Sequence, residues 1–251
     1  MKIIKYTVLT LFLLAGLMAC EVDNYKVPNE TFTGKFIDRQ TKEPFQTAMG
    51  GNGIRIRLME YSWSESPLPY DMYSKMDGTF NNSKVFKGEY GVTPEGAFVP
   101  LEEEIFKIEG KVEKTYEVEP LLRVEWVGEP VFNADGTVTV QVNISRGTDN
   151  AAYQQPLTEV WLFVNETSYV YYGQHSTRHS TQLTGTNLSA LGTTFTITSG
   201  QPTGPGSTQN YFPTFVRKYF LRVAARTDIF IIGSSTFYNY STIKEISTVA
   251  R

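Results

Sequence analysis

In the stretch TVTVQVNI, Val138, Val140, Val142 and Ile144 take every second position, with Thr139, Gln141 and Asn143 between them. A period of two is what an extended strand with one buried face imposes on its sequence. From Phe32 onward no convincing helical period competes with it. Aromatic and β-branched residues are abundant, and turn residues interrupt at short intervals. That pattern predicts an all-β sandwich or barrel. Residues 20–251 are enough for one large or two ordinary domains. With a single cysteine, Cys20, no intrachain disulfide is possible, so the fold must be held by burial.

The first unit is placed at residues 28–120. TFTGKFIDRQTKEPFQTAMGGNGIRIRL opens with a strand, turns through DRQTKEP and returns to a strand near Ile54. DGTFNNSKVFKGEYGVTP then reads as hairpin, strand, turn and strand. Gly34, Asp38, Thr41, Glu43 and Pro44, followed by Asp77, Gly78, Phe80, Gly88 and Tyr90, resemble the pattern of the carboxypeptidase-regulatory, prealbumin-like sandwich. The insertion MGGNG and a long loop at 60–75 depart from the compact form, and loops of that length tend to be functional.

The second unit, residues 121–251, carries the clean alternation above. EVWLFVN is apolar on both faces and reads as a central strand, with Trp161 as a core tryptophan. KYFLRVAARTD alternates Tyr219, Leu221, Val223 and Ala225 against Lys218, Arg222 and Arg226. This segment resembles the penultimate strand of a fibronectin type III or immunoglobulin-like sandwich, with Tyr219 at the place of a tyrosine corner. The DGT sequences at Asp77 and Asp135 are hairpin signals. Asn133 and Asp135 lack the further carboxylates of a calcium loop. The Ser-, Thr-, Gly- and Gln-rich stretches at 173–192 and 199–210 read as loops.

The N-terminus sets an address. Lys2 and Lys5 precede an apolar run at Val8–Leu14, and LMAC closes at Cys20. The run falls short of the roughly 20 residues of a membrane span and has the form of a secretory signal. LMAC resembles a bacterial lipoprotein signal, which implies a peptide removed at 1–19 and a lipidated Cys20; the other reading is an ordinary signal with an incidental cysteine. Residues 20–27 make a polar tether. Glu21 and Asp23 resemble, loosely, the acidic signal that sends Bacteroidetes lipoproteins to the cell surface. The expected location is therefore the outer membrane, held by the lipid alone and facing outward.

Charge and motifs narrow the function. Losing Lys2 and Lys5 lowers the formal charge of −3 by two further units, which gives no electrostatic case for nucleic acid. There is no nucleophile elbow and no phosphate loop. His175 and His179 have zinc spacing only on a helix, and GQHSTRHS is a poor helix former. Three adjacent carboxylates in LEEEIF point to alternate faces and do not converge as glycosidase pairs must. No catalysis, metal or cofactor is expected.

Fifteen Tyr and 16 Phe exceed what a core of this size obviously needs. Exposed Tyr and Trp rings can stack on the apolar face of a sugar, while Arg, Asp, Asn and Gln bond its hydroxyls. Extending the alternation of Ile54, Ile56 and Leu58 puts Arg55, Arg57, Tyr61 and Trp63 outside the core. With Tyr70, Asp71 and Tyr73 they form the preferred carbohydrate site. A second candidate is SYVYYGQH, where a strand would set Tyr169 and Tyr171 on one face and Tyr172 on the other. For both, core or interface packing is the competing reading, and a bulge at Met59 would turn Tyr61 and Trp63 inward.

Cys20, GKFIDRQTKEPFQTAMGGNGIRIRLMEYSW and DGTFNNSKVFKGEYGVTPEGAFVP together resemble a Bacteroidetes family of two-domain surface lipoproteins, domain of unknown function 3823. The resemblance implies an accessory to outer-membrane glycan importers of the starch-utilisation type. It implies a carbohydrate ligand or, alternatively, a structural subunit docking on the importer complex. No family binding residues carry over.

Overall fold

A computed structural model describes residues 26–202, 206–228 and 237–250. Cys20, the signal sequence, Glu21 and Asp23 lie outside them. The first half contains β1 (Glu30–Asp38), β2 (Arg55–Glu60), β3 (Pro69–Tyr73), β4 (Thr79–Val85), β5 (Gly88–Glu95), β6 (Glu104–Ile108) and β7 (Lys111–Val118). They form two sheets, β4-β1-β7 and β3-β2-β5-β6, with β1 and β7 parallel and the other pairs antiparallel. The inward faces close a core of Phe32, Phe36, Ile56, Leu58, Phe80, Val92, Phe98 and their neighbours. Gly34 is required in β1: a Cβ there would sit 2.0 Å from the Lys114 carbonyl and 2.6 Å from the Phe80 ring. The missing side chain lets Phe80 lie against Phe32 and Phe36.

The second half contains β8 (Leu122–Trp126), β9 (Val131–Phe132), β10 (Val138–Arg146), β11 (Leu157–Asn165), β12 (Thr181–Thr184), β13 (Thr194–Thr198), β14 (Lys218–Thr227), β15 (Asn239–Tyr240) and β16 (Lys244–Ser247). One sheet runs β13-β10-β8, with β9 paired to β10. The other runs β12-β11-β14-β15, with β16 also on β14. Between them lies a core of Val138, Val140, Val142, Ile144, Val160, Leu162, Val164, Leu221 and Val223. The all-β sandwich architecture read from the alternation is thus what the chain adopts.

Several local expectations need correction. The Asp135 turn does join the hairpin β9–β10. The Asp77 turn does not close a hairpin, because it carries the chain from β3 in one sheet to β4 in the other. The two turns nevertheless share one mechanism. Asp77 accepts from Thr79 N and Oγ1 at 3.0 and 2.7 Å, and Asp135 from Thr137 at 2.9 and 2.7 Å. TQLT, inside a stretch of loop composition, forms β12 because β11 offers it an edge. Trp161 is not in the sandwich core: Val160, Leu162 and Val164 point inward, which sends Glu159, Trp161 and Phe163 to the outer face. Tyr219, by contrast, is buried with Leu221, Val223 and Ala225 as its parity predicts, edge-on to Phe212 at 4.7 Å.

That outer face is covered as well. Ala48, Phe163, Val170, Ala224, Tyr238 and Tyr240 form a third cluster, in which Ala48 comes from the first half. Arg222 locks the contact. Its guanidinium is fully buried and donates to Ser241 O, Thr47 O, Gln46 Oε1 and Met76 O at 2.9, 2.8, 3.2 and 3.3 Å, above the Tyr240 ring. Asn239 accepts from Leu122 N and donates to Ala97 O, and Arg123 forks Asp38.

Candidate functional site

The alternation of β2 holds as far as Glu60. Arg55 and Arg57 are on its outer face, with Ile54, Ile56 and Leu58 fully buried behind them. Arg57 forks Asp71 on β3 with two bonds of 2.9 Å, and Arg55 bonds Glu95 and lies 3.8 Å from Asp71. The hydrogen bonds from Arg57 hold the Asp71 carboxyl below its usual range, against the opposing effect of burial. Tyr73 pairs in register with Arg55 on this face and is partly exposed. Tyr61 lies over Gly91, where a Cβ would come within 2.7 Å of its ring, and its hydroxyl donates to Glu103 at 3.1 Å.

Two members of the predicted group fall elsewhere. Trp63 lies beyond the strand in a turn, 70% exposed, its indole N–H donating to Glu60 Oε1 at 2.8 Å. Tyr70 is in register with Leu58, so it belongs to the opposite face, where its hydroxyl accepts from Asn82. The result is a sheet surface whose charges already satisfy one another, with Trp63 off its end.

The second candidate is built differently from the strand expected. Tyr171 and Gln174 exchange backbone bonds of 3.0 and 2.9 Å, closing a tight turn, so strict alternation does not apply. Val170 is fully buried and anchors the segment. Tyr169 faces solvent and Tyr171 is half-buried against the third cluster. Tyr172 stacks on Tyr238 at 5.2 Å and 27°, and stands edge-on to Trp161 at 6.4 Å.

Beside these rings is a cavity of about 450 Å³, lined by Thr158, Glu159, Trp161, Tyr172, Gln182, Thr184, Arg226 and Tyr238. β11 pairs Glu159 with Arg226 on β14 and Trp161 with Gln182 on β12, so register alone assembles most of the wall. Glu159, 6% exposed, forms the polar floor. It accepts from Trp161 Nε1 at 2.9 Å, Gln182 Nε2 at 2.6 Å and Arg226 Nη2 at 2.5 Å, and from the Tyr238 hydroxyl. Burial pushes its pKa up, but these donors prevail and hold it below the ordinary carboxylate value. Burial, followed by the Glu159 charge, pushes the Tyr238 phenol up, so that it stays a donor. His175 packs against Trp161 and Phe163 at 5.5 and 4.9 Å.

Of the predicted residues, only Tyr172 enters this cavity. Glu159, Trp161, Gln182, Arg226 and Tyr238 were not assigned to a site from sequence. The parity of EVW and of Arg226 in KYFLRVAARTD was a usable signal, since both sets fall on the non-core face.

The family described as protein of unknown function (DUF3823), N-terminal domain, matches residues 30–119. A solved DUF3823 family protein from Bacteroides uniformis is 30% identical, with a TM-score of 0.77 over 89% of this chain and 100% of its own. A second Bacteroides uniformis structure, provisionally described as a carbohydrate binding protein, is 20% identical, with a TM-score of 0.65 over 87% and 99%. A DUF3823 family protein from Parabacteroides merdae is 14% identical, with a TM-score of 0.63 over 88% and 100%. The last two are similar in fold alone. No curated protein matches the chain.

Proposed function

The chain belongs to the DUF3823 family, whose function is unknown, and from that premise we propose that it is a non-catalytic carbohydrate-binding lipoprotein. The single observation that carries this reading is the cavity at Trp161, Tyr172 and Tyr238 with the Glu159–Arg226 pair in its floor. Aromatic walls with a few convergent polar groups, in a volume of this size, suit a small ligand with apolar faces and hydroxyl edges. A sugar ring has both. The provisional description of one fold relative as carbohydrate binding points the same way. Glu159 is held as an anion by four donors and is poorly suited to give up a proton, which favours binding over glycoside cleavage.

Anchoring follows from LMAC and Cys20, and the proposed location is the outer membrane, facing outward. A docking role on an importer complex is the second reading. It is favoured by exposed apolar groups on the β3-β2-β5-β6 sheet, where Leu68 and Trp63 in the β2–β3 connection are 90% and 70% exposed and Ile105 on β6 is 62% exposed. The deciding test is affinity electrophoresis of the lipid-free chain, residues 21–251, through a panel of polysaccharides. Retardation by at least one glycan is expected; uniform migration across a broad panel would overturn the carbohydrate reading and leave docking.

A further inference from the structure

We infer that the end of the second sandwich, where β11 leaves and β14 enters, is a separate subsite for a carboxylate-bearing sugar such as a uronate. A cavity of about 590 Å³ opens there between Glu166, Arg178, His179, Tyr211, Phe215 and Arg217. Tyr211 and Phe215 are 47% and 59% exposed at its rim and offer flat rings. Two guanidiniums line it against one carboxylate. Arg217 is paired with Glu166, whereas Arg178 forms no ion pair among the described residues. In a chain of net negative charge this is a local positive excess, and it suits an anionic group.

The floor is His179. Only 7% exposed, its ring stacks on Phe212 at 4.7 Å and 10° and meets Tyr219 edge-on at 5.5 Å. Nδ1 bonds Ser176 Oγ at 3.1 Å, and the Tyr211 backbone also hydrogen-bonds the ring, so the floor is fixed to the segment that carries one rim aromatic. A uronate supplies a carboxylate for the guanidiniums and an apolar face for Tyr211 or Phe215. The choice of a sugar ring rests on the carbohydrate reading above; the choice of an anion rests on this cavity alone.

The chain has only two histidines, and each reports one cavity: His175 beside Trp161, His179 here. Imidazole proton NMR of the lipid-free chain, titrated with trigalacturonate, maltotriose and acetate, therefore separates the sites. Trigalacturonate is expected to shift His179, maltotriose and acetate at equal concentration are not, and Arg178→Met weakens the response about tenfold or more. Trp161→Ala leaves it unchanged. No His179 shift, an equal response to acetate, or a response untouched by Arg178→Met would overturn the subsite. A His179 shift in a chain that no neutral glycan retards would support this subsite while the other cavity's reading fails. Retardation by a neutral glycan without a His179 shift would do the reverse.

Discussion

The indole N–H of Trp161 donates at 2.9 Å to Oε2 of Glu159, two residues earlier on the same face of β11. A period-two strand puts i and i+2 side by side, so this bond needs no tertiary help to find its partner. It fixes the plane of the indole and one lone pair of the carboxylate together. Gln182, Arg226 and Tyr238 then close around the same group from β12, β14 and the approach to β15.

Trp161→Phe keeps a ring in the wall and removes one donor. The Glu159 carboxyl loses a charge-assisted hydrogen bond, and the variant should lose about 1–2 kcal/mol of stability. Its Glu159 carboxyl should titrate at higher pH than in the wild type. Urea unfolding and carboxyl-carbon NMR check the two effects separately.

Glu159 should make acid stability measurable at one residue. Its folded pKa lies below its unfolded value, so its contribution is present above the unfolded value and is lost as pH falls through the folded one. At pH 7, Glu159→Gln removes the carboxylate that pairs with Arg226 and accepts from Trp161 and Gln182, and should cost about 1–3 kcal/mol. By pH 3 the gap to wild type should have narrowed. A gap that widened on acidification would mean the carboxyl is not held as an anion.

Arg222 has a different role, because its buried charge is met by carbonyl oxygens and the Tyr240 ring instead of by a carboxylate. Burial pushes its pKa down to about 10, which still leaves it charged at neutral pH. Arg222→Met strands the Thr47, Met76 and Ser241 carbonyls at the junction and should cost about 3 kcal/mol or more. In a chain of this length that is a melting shift of roughly 6–12 °C, read by calorimetry. Arg222→Lys should recover little, since one ammonium cannot span acceptors on both halves.

Trp63→Ala should leave glycan retention unchanged and stability within about 0.5 kcal/mol, since the ring is 70% exposed and outside the cavity. Loss of retention in a folded Trp63 variant would move the site to the first sandwich.

The sequence was informative where one strand decides the outcome. The inward sets Ile54, Ile56, Leu58 and Val138, Val140, Val142, Ile144 are buried as their period requires. Parity also placed Arg55 and Arg57 correctly on an outer face. It gave no register between strands, and Glu159 meets Arg226 only through the β11–β14 pairing of residues far apart in the chain. It could not say that the outer face of β11 packs with Val170, Tyr238 and Tyr240 and with Ala48 of the first half, so an outward Trp161 read as a core residue. Tyr70 and Trp63 were misplaced for local reasons: β3 begins at Pro69 in a phase no single strand reveals, and β2 stops three residues short of Trp63.

The central claim is that the Trp161 cavity takes a sugar, and the most direct measurement is an isothermal titration of the lipid-free chain with a retained glycan, wild type against Trp161→Ala. Loss of a stacking wall at the centre of a site should weaken binding by about tenfold or more, with the fold intact by circular dichroism. Equal affinity in the two proteins would contradict the account.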